Sequence, residues 1–324
     1  MRMILVTGAA GFIGFHVAEA LLARGADVLG IDNLNDYYEV SLKKARLALL
    51  LAHKNFRFRR VEISDHDTMR TIPGEFSNIS GVLHFAAQAG VRHSLTNPFV
   101  YAQSNVMGQV VMLELARACR SLRHFVYASS SSVYGANTKL PFSVDDPVTQ
   151  PNSLYAATKR ADELISHTYA HLYALPATGL RFFTVYGPWG RPDMALFLFT
   201  RAILADQPIR VFNHGEMWRD FTYIDDVVNG VLRALEREPA GSPPHAIYNL
   251  GNHRSEKLTE FIAVLEIALG KKAQMQFEPM QPGDVPATYA DIEASRRDLG
   301  FEPAIPITEG IPRFVRWYRD YYKL

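Results

Sequence analysis

The stretch TGAAGFIG (Thr7–Gly14) constrains the fold of this chain more than any other. It places Gly8, Gly11 and Gly14 as G-x-x-G-x-x-G between an apolar run, RMILVTG, and a segment, Phe12–Arg24, with apolar Ile13, Val17, Ala20 and Leu21 at helical spacing. A strand, a glycine turn and a helix in that order bring the backbone close to a pyrophosphate. The helix start adds unpaired N–H groups and the positive dipole end. The next apolar run, ADVLGID, ends in Asp32, 18 residues after Gly14. A carboxylate there accepts both ribose hydroxyls of an adenosine and repels a 2′-phosphate, so the pattern predicts NAD in preference to NADP.

The first half of the chain repeats this alternation. NFRFRRVEI, GVLHFAA and HFVYASS read as further strands, with helical stretches between them, notably Val100–Arg120 and Leu154–Tyr173. Strands that are apolar throughout and alternate with helices predict an α/β fold, a Rossmann-type doubly wound parallel sheet covered on both faces. After about residue 184 prolines punctuate shorter elements. PIRVFN and HAIYNLG read as strands, LTEFIAVLEIALG as a helix closed by Gly270, and the aromatic-rich C-terminal segment as a last helix. RFFTV and FTYIDDVVNGVLRAL still read as sheet and crossover material. The expected division is therefore 1–184 as the dinucleotide-binding domain, also receiving segments near 220–250. Residues 185–324 form mainly a smaller, interleaved substrate-binding lobe. Asp225 and Asp226 read as caps of the helix VVNGVLRAL.

Composition narrows the partners. With 34 basic and 33 acidic residues among 324, no charge excess draws the chain to nucleic acid or an anionic membrane. A single cysteine, Cys119, excludes a disulfide framework within the chain. No apolar run reaches membrane-spanning length and the N-terminus lacks a signal-peptide pattern, so a soluble, cytoplasmic protein is expected. His167 and His171 stand four apart without an accompanying Glu or Cys, and no metal is implied.

Two further stretches carry chemistry. YAATK puts Tyr155 and Lys159 one turn apart on one helix face. A neighbouring ammonium and a cationic nicotinamide favour the phenolate, which can then act as general base toward an alcohol while hydride leaves for the cofactor. SSSSVYG (Ser129–Gly135) ends an apolar strand in four hydroxyls, each of which must find a partner or face water.

Together TGAAGFIG, Asp32, HFAAQAGV, SSSSVYG, YAATK and RFFTVYGPWGRPDM resemble the extended short-chain dehydrogenase/reductase superfamily, over essentially the whole chain. Within it the chain is most similar to NAD-dependent nucleotide-sugar 4-epimerases, above all those acting on UDP-glucuronate. The resemblance implies that Ser130, Tyr155 and Lys159 are catalytic, with Ser130 on the sugar C4 oxygen. It implies cofactor contacts from Gly8, Gly11, Phe12, Ile13, Gly14, Asp32, Asn33, Glu62, Ile63, Ala86, Ala87, Gln88, Tyr155 and Lys159, with Asn105 supporting them. Glu62 stands where many relatives carry Asp. On the substrate side it implies Ser131, Ser132 and Thr184 near the sugar carboxylate, Arg191 beside them, Arg219 on the diphosphate, Asp284 near the ribose and Arg92 toward the sugar.

The implied reaction converts UDP-glucuronate to UDP-galacturonate through a 4-keto intermediate that turns and is re-reduced. A homodimer is implied through the helices around Val100–Arg120 and Leu154–Tyr173. Neutral serines at 131 and 132 argue against the decarboxylases, which are similar but carry Glu at 132, and against dehydratases with their Asp–Glu pair. A UDP-glucose/UDP-galactose 4-epimerase, a UDP-glucuronate decarboxylase and a non-enzymatic NAD sensor are the alternatives.

Overall fold

The computed structural model describes residues 3–324. Its framework is a sheet of seven strands: β1 (Met3–Thr7), β2 (Asp27–Asp32), β3 (Phe56–Arg60), β4 (Ile79–His84), β5 (His124–Ser130), β6 (Ala177–Phe182) and β7 (His245–Leu250). Their order is β7-β6-β5-β4-β1-β2-β3 and every pairing is parallel. β4, β6 and the central part of β5 are buried on both faces, which is why they read as unbroken apolar runs. Helices α1 (Phe12–Ala23), α2 (Val40–Leu51), α3 (Gly108–Ala118), α4 (Leu154–Tyr173) and α5 (Ile224–Glu236) cover it.

The direction of chain progression reverses at β1, which lies between β4 and β2. A crevice opens outside the strand ends at such a switch point. Thr7 is in register with both Ile31 and His84, so the glycine turn, Asp32 and the segment after β4 emerge side by side. Thr7 ties this level together: its hydroxyl shares a 2.7 Å hydrogen bond with His84 Nδ1 and accepts the Ala86 N–H at 3.1 Å.

The later part of the chain does contribute to the sheet, through β7, while α5 packs against α1. The remainder builds short two-stranded pairings: Thr184–Tyr186 with Phe221–Tyr223, Trp218–Arg219 with Glu256–Lys257, and Ile209–Val211 with Met275–Phe277. Helices Leu258–Leu269 and Ile307–Tyr322 pack on one another, the first closed by Gly270 in the left-handed conformation. No helix among the described residues is long and apolar enough to cross a membrane.

Two elements differ from expectation. The stretch read as one helix over 100–120 is helical but not uniform: Pro98–Tyr101 runs into a π-helical turn, Ala102–Met107, and only then into α3. Asp225 and Asp226 do not cap α5. They lie in its first turn, where the dipole favours them, and no side chain caps that end. Asp226 instead accepts the Ile305 N–H at 3.0 Å, fastening the approach to the last helix, and Asp225 faces Arg313 at 3.5 Å.

Candidate active site

One cleft at the switch point is lined by Gly8, Gly11, Phe12, Ile13 and Gly14, by Asp32, Asn33, Glu62 and Ile63, by Ala86, Ala87 and Gln88, and by Ser130, Tyr155, Lys159 and Arg191. The glycines are there for stated reasons. Gly8 has φ +68°, and a Cβ on it would lie 2.9 Å from the Ala86 nitrogen. A Cβ on Gly14 would lie 2.1 Å from the Gly8 carbonyl oxygen. α1 begins just after Gly11 with no side-chain cap, so its first N–H groups are available to a ligand. The residues therefore fit a dinucleotide: a turn packed too closely for side chains, an open helix start and a carboxylate at the next strand end.

Asp32 Oδ2 accepts the Ala10 N–H at 3.1 Å and Oδ1 the Leu34 N–H at 2.8 Å, leaving each oxygen a lone pair toward the cleft. Burial raises its carboxyl above the usual value, with the Leu34 N–H and Lys43 pulling the other way. Asn33 donates to Glu62 at 2.6 Å, so Glu62 sits in the cleft wall already engaged. Buried Arg46 donates to the carbonyls of Ala10 and Gly190 at 2.9 Å and 3.1 Å, and thereby bolts the glycine turn to the segment before Arg191.

Asn105 is not in the cleft wall but holds it. From the π-helical turn its side chain accepts the Gln88 N–H at 2.8 Å and donates to the Gln88 carbonyl at 3.1 Å and the Thr158 hydroxyl at 2.9 Å. The wall after β4 is thus tied directly to the helix that carries Tyr155 and Lys159. That helix, α4, starts cleanly because Ser153 caps it, accepting the Ala156 N–H at 3.1 Å. Tyr155 packs edge-on against Tyr101 at 6.1 Å. Lys159 Nζ donates to the Ala128 carbonyl at 2.9 Å and to Asp162 at 3.0 Å.

The four serines part company. Ser129 points into the protein and bonds Glu163 at 2.6 Å, within a buried pairing of Glu163 with Arg181 at 2.9 Å. Ser130 faces the cleft, and its oxygen both accepts the Ser132 N–H and meets the Ser132 hydroxyl at 3.2 Å. Ser131 and Ser132 open the short 3-10 turn that follows and are half-buried beside the cleft, outside its lining.

The expected substrate residues are spread wider. Thr184 lies in a small adjoining hollow that shares Arg191 with the cleft. Arg191 is held by Asp193, Nε at 3.1 Å, and Asp193 also accepts the Tyr37 hydroxyl at 3.1 Å. Arg92, Asp284 and Arg219 form a group of their own. Arg92 pairs with Asp284 at 2.9 Å and stacks over Phe212 at 4.4 Å, while Arg219 donates to the Trp218 carbonyl at 2.8 Å. Burial lowers the Arg219 guanidinium, Asp284 opposes this and Arg92 adds to it, so two arginines flank one carboxylate.

The sequence reading missed Asn35, Tyr37, Tyr38 and Lys43, all in the cleft wall. Lys43 donates to Asn35 at 2.6 Å and lies 4.4 Å over the Tyr38 ring. The signal was present in DNLNDYY, an aromatic and amide cluster directly after the Asp32 strand end.

Comparison with known proteins gives a consistent picture. Residues 4–251 match the model of the NAD dependent epimerase/dehydratase family. The chain is 48% identical over 335 residues to Protein CapI of Staphylococcus aureus, covering 99% of each. It is 48% identical over 333 residues to UDP-glucuronate 4-epimerase 2 of Arabidopsis thaliana, covering 99% of this chain and 76% of that protein. In structure it is similar to UDP-glucuronic acid 4-epimerase from Bacillus cereus in complex with UDP-glucuronic acid and NAD: TM-score 0.92, 34% identity, 99% of this chain and 100% of the other covered.

Proposed function

The chain belongs to the NAD dependent epimerase/dehydratase family, and from that premise we propose that it interconverts UDP-glucuronate and UDP-galacturonate by inversion at C4. The observation that carries this proposal is the convergence of Ser130, Tyr155 and Lys159 on the cleft that also holds the glycine turn and Asp32. The similarity to proteins that bear this activity in their names supports the substrate.

The glycine turn and Asp32 would hold NAD, which would supply a hydride acceptor and donor for C4. Tyr155 takes the C4 hydroxyl proton and returns it, while Ser130 hydrogen-bonds the C4 oxygen through both steps. Lys159, one turn along α4, lines the same cleft and brings its N–H donors to the end that holds Tyr155. Between the two steps the sugar is a ketone at C4, and Arg219, Arg92 and Asp284 retain the nucleotide and diphosphate while it turns. Asp193 occupies the Nε and Nη2 donors of Arg191, at 3.1 Å and 2.5 Å, and the N–H donors left on that guanidinium take the sugar carboxylate together with Thr184 and the neutral hydroxyls of Ser131 and Ser132. With no carboxylate at position 132, CO2 loss from the β-keto acid has no acidic neighbour to promote it.

The same proposal extends to a cytoplasmic homodimer. Its support is exposed apolar side chains on and just before the two helices named for it: Phe99 (84% exposed) one residue ahead of the first, Met107 within it, and Leu164 and Leu172 (61%) on the second. Cys119 is a free buried thiol and asks for no oxidising compartment.

The test is incubation of the NAD-loaded protein with UDP-glucuronate. A product of unchanged mass, epimeric at C4, is expected. Loss of CO2, or conversion of UDP-glucose with UDP-glucuronate left untouched, would overturn the proposal.

A further inference from the structure

Lys159 carries three N–H donors. Two are committed inside the protein, to the Ala128 carbonyl at 2.9 Å and Asp162 Oδ2 at 3.0 Å. Lys159 itself lines the cleft, so the third donor is the one left for it. Asp162 is 1% exposed, and its second oxygen, Oδ1, is buried with no hydrogen-bond partner among the described residues. A carboxylate in such a place is costly to bury, and packing alone does not call for it.

The charges around this pair narrow what it does. Glu163, next on α4, is spent on Arg181, Ser129 and Arg160. Tyr127 from β5 is fully buried, and burial drives its hydroxyl well above its usual value, so it stays neutral. His84 from β4 faces Lys159 and is pushed down to about 3, first by burial and then by that ammonium, so it too is neutral. His245 from β7 shares a 2.9 Å hydrogen bond with the Tyr127 hydroxyl, packs edge-on against His167 of α4, and is pushed down to about 4, chiefly by burial and next by His167. Around Lys159 the neighbouring groups are thus spent or neutral, and Asp162 is the one carboxylate among the described residues paired with it.

We propose that Asp162 is a positioning residue for Lys159, aiming one ammonium N–H at the cleft and setting how much of the lysine's positive charge reaches the Tyr155 hydroxyl. An ionised Asp162 subtracts from that charge, and a neutral one releases it in full. Burial raises the Asp162 carboxyl to about 6, against the pull of Lys159, so the brake itself titrates as the solution turns acid. The proposal rests on Tyr155 being the proton acceptor.

The test is a pH profile of turnover for the NAD-loaded Asp162→Asn and Asp162→Ala proteins, with Tyr155→Phe measured in parallel and melting temperatures recorded for all three. Asp162→Asn keeps an acceptor for Lys159 and removes the charge. It should hold turnover within about threefold at its optimum and move the acid limb about one pH unit lower, because the phenolate then forms more readily. Asp162→Ala also loses the acceptor and should cut kcat about tenfold, a loss that Asn rescues. An acid limb that stays in place in Asp162→Asn, whatever the melting temperatures, overturns the proposal and leaves the epimerase function standing. Full turnover in Tyr155→Phe overturns both.

Discussion

Gly14 shows how tightly single residues are specified at the cleft. Its Cβ position is taken by the Gly8 carbonyl, 2.1 Å away, and backbone cannot swing aside as a side chain can. Gly14→Ala is therefore expected to open the turn, at a cost of about 1–3 kcal/mol, and to lose bound NAD. Melting temperature and NAD released on denaturation check this; unchanged NAD content would contradict it. Tyr155→Phe should keep the fold and NAD and lose turnover by about 10²-fold or more. Such residues were legible because their signals are local. Three glycines, an aspartate at the next strand end and a tyrosine–lysine pair all declare themselves within a few positions. What was not legible is what the site arginines are tied to. The pairing of Arg92 with Asp284 spans 192 positions, and no spacing rule reaches that far. Arg191 lies two residues from Asp193, yet the Tyr37 hydroxyl that completes the group comes from 156 positions away.

At the scale of elements, the strands and most helices follow from periodicity, and α4 begins and ends where its pattern does. The π-helical turn at Ala102–Met107 does not follow. Apolar spacing marks a helix there, while the wider turn goes with tertiary bonds from Asn105 to Gln88 and Thr158, 17 and 53 positions away. Asn105→Ala leaves a buried Gln88 N–H and carbonyl without partners, which costs about 1–3 kcal/mol. It also unties the cleft wall from α4. A lower melting temperature together with weaker NAD retention is expected, measured by calorimetry; a loss of stability with NAD affinity intact would confine Asn105 to the core. The misread end of α5 has the same origin, since Asp226 serves Ile305, 79 positions on.

Over the whole molecule, buried histidines dominate the response to mild acid. His16 and His245 are pushed down to about 4 and His84 to about 3, in each case chiefly by burial. The unfolded chain takes up these protons below about pH 6.5 while the native state refuses them, so stability present above that value falls as pH drops through it. Asp162 and Asp220, raised to about 6 by burial, act with the opposite sign: the native state binds their protons first, which offsets the loss at lower pH. At fixed NAD concentration the melting temperature should therefore decline from about pH 7.5 to about pH 6. A flat profile there would contradict the burial of these rings. The proposed association belongs to this scale as well: if the dimer forms through this face, Phe99→Asp, at the most exposed of the large apolar side chains among the described residues, should yield a monomer in light scattering where the unaltered protein gives twice that mass. The most direct measurement is the fate of hydrogen at C4. UDP-glucuronate carrying deuterium at that carbon is given to the NAD-loaded protein, and the epimeric product is analysed by mass and by NMR. Deuterium retained at C4 in a product of unchanged mass is expected, since the hydrogen leaves as hydride and returns to the same carbon. Deuterium lost to solvent, or a product lacking CO2, would contradict epimerisation at this site.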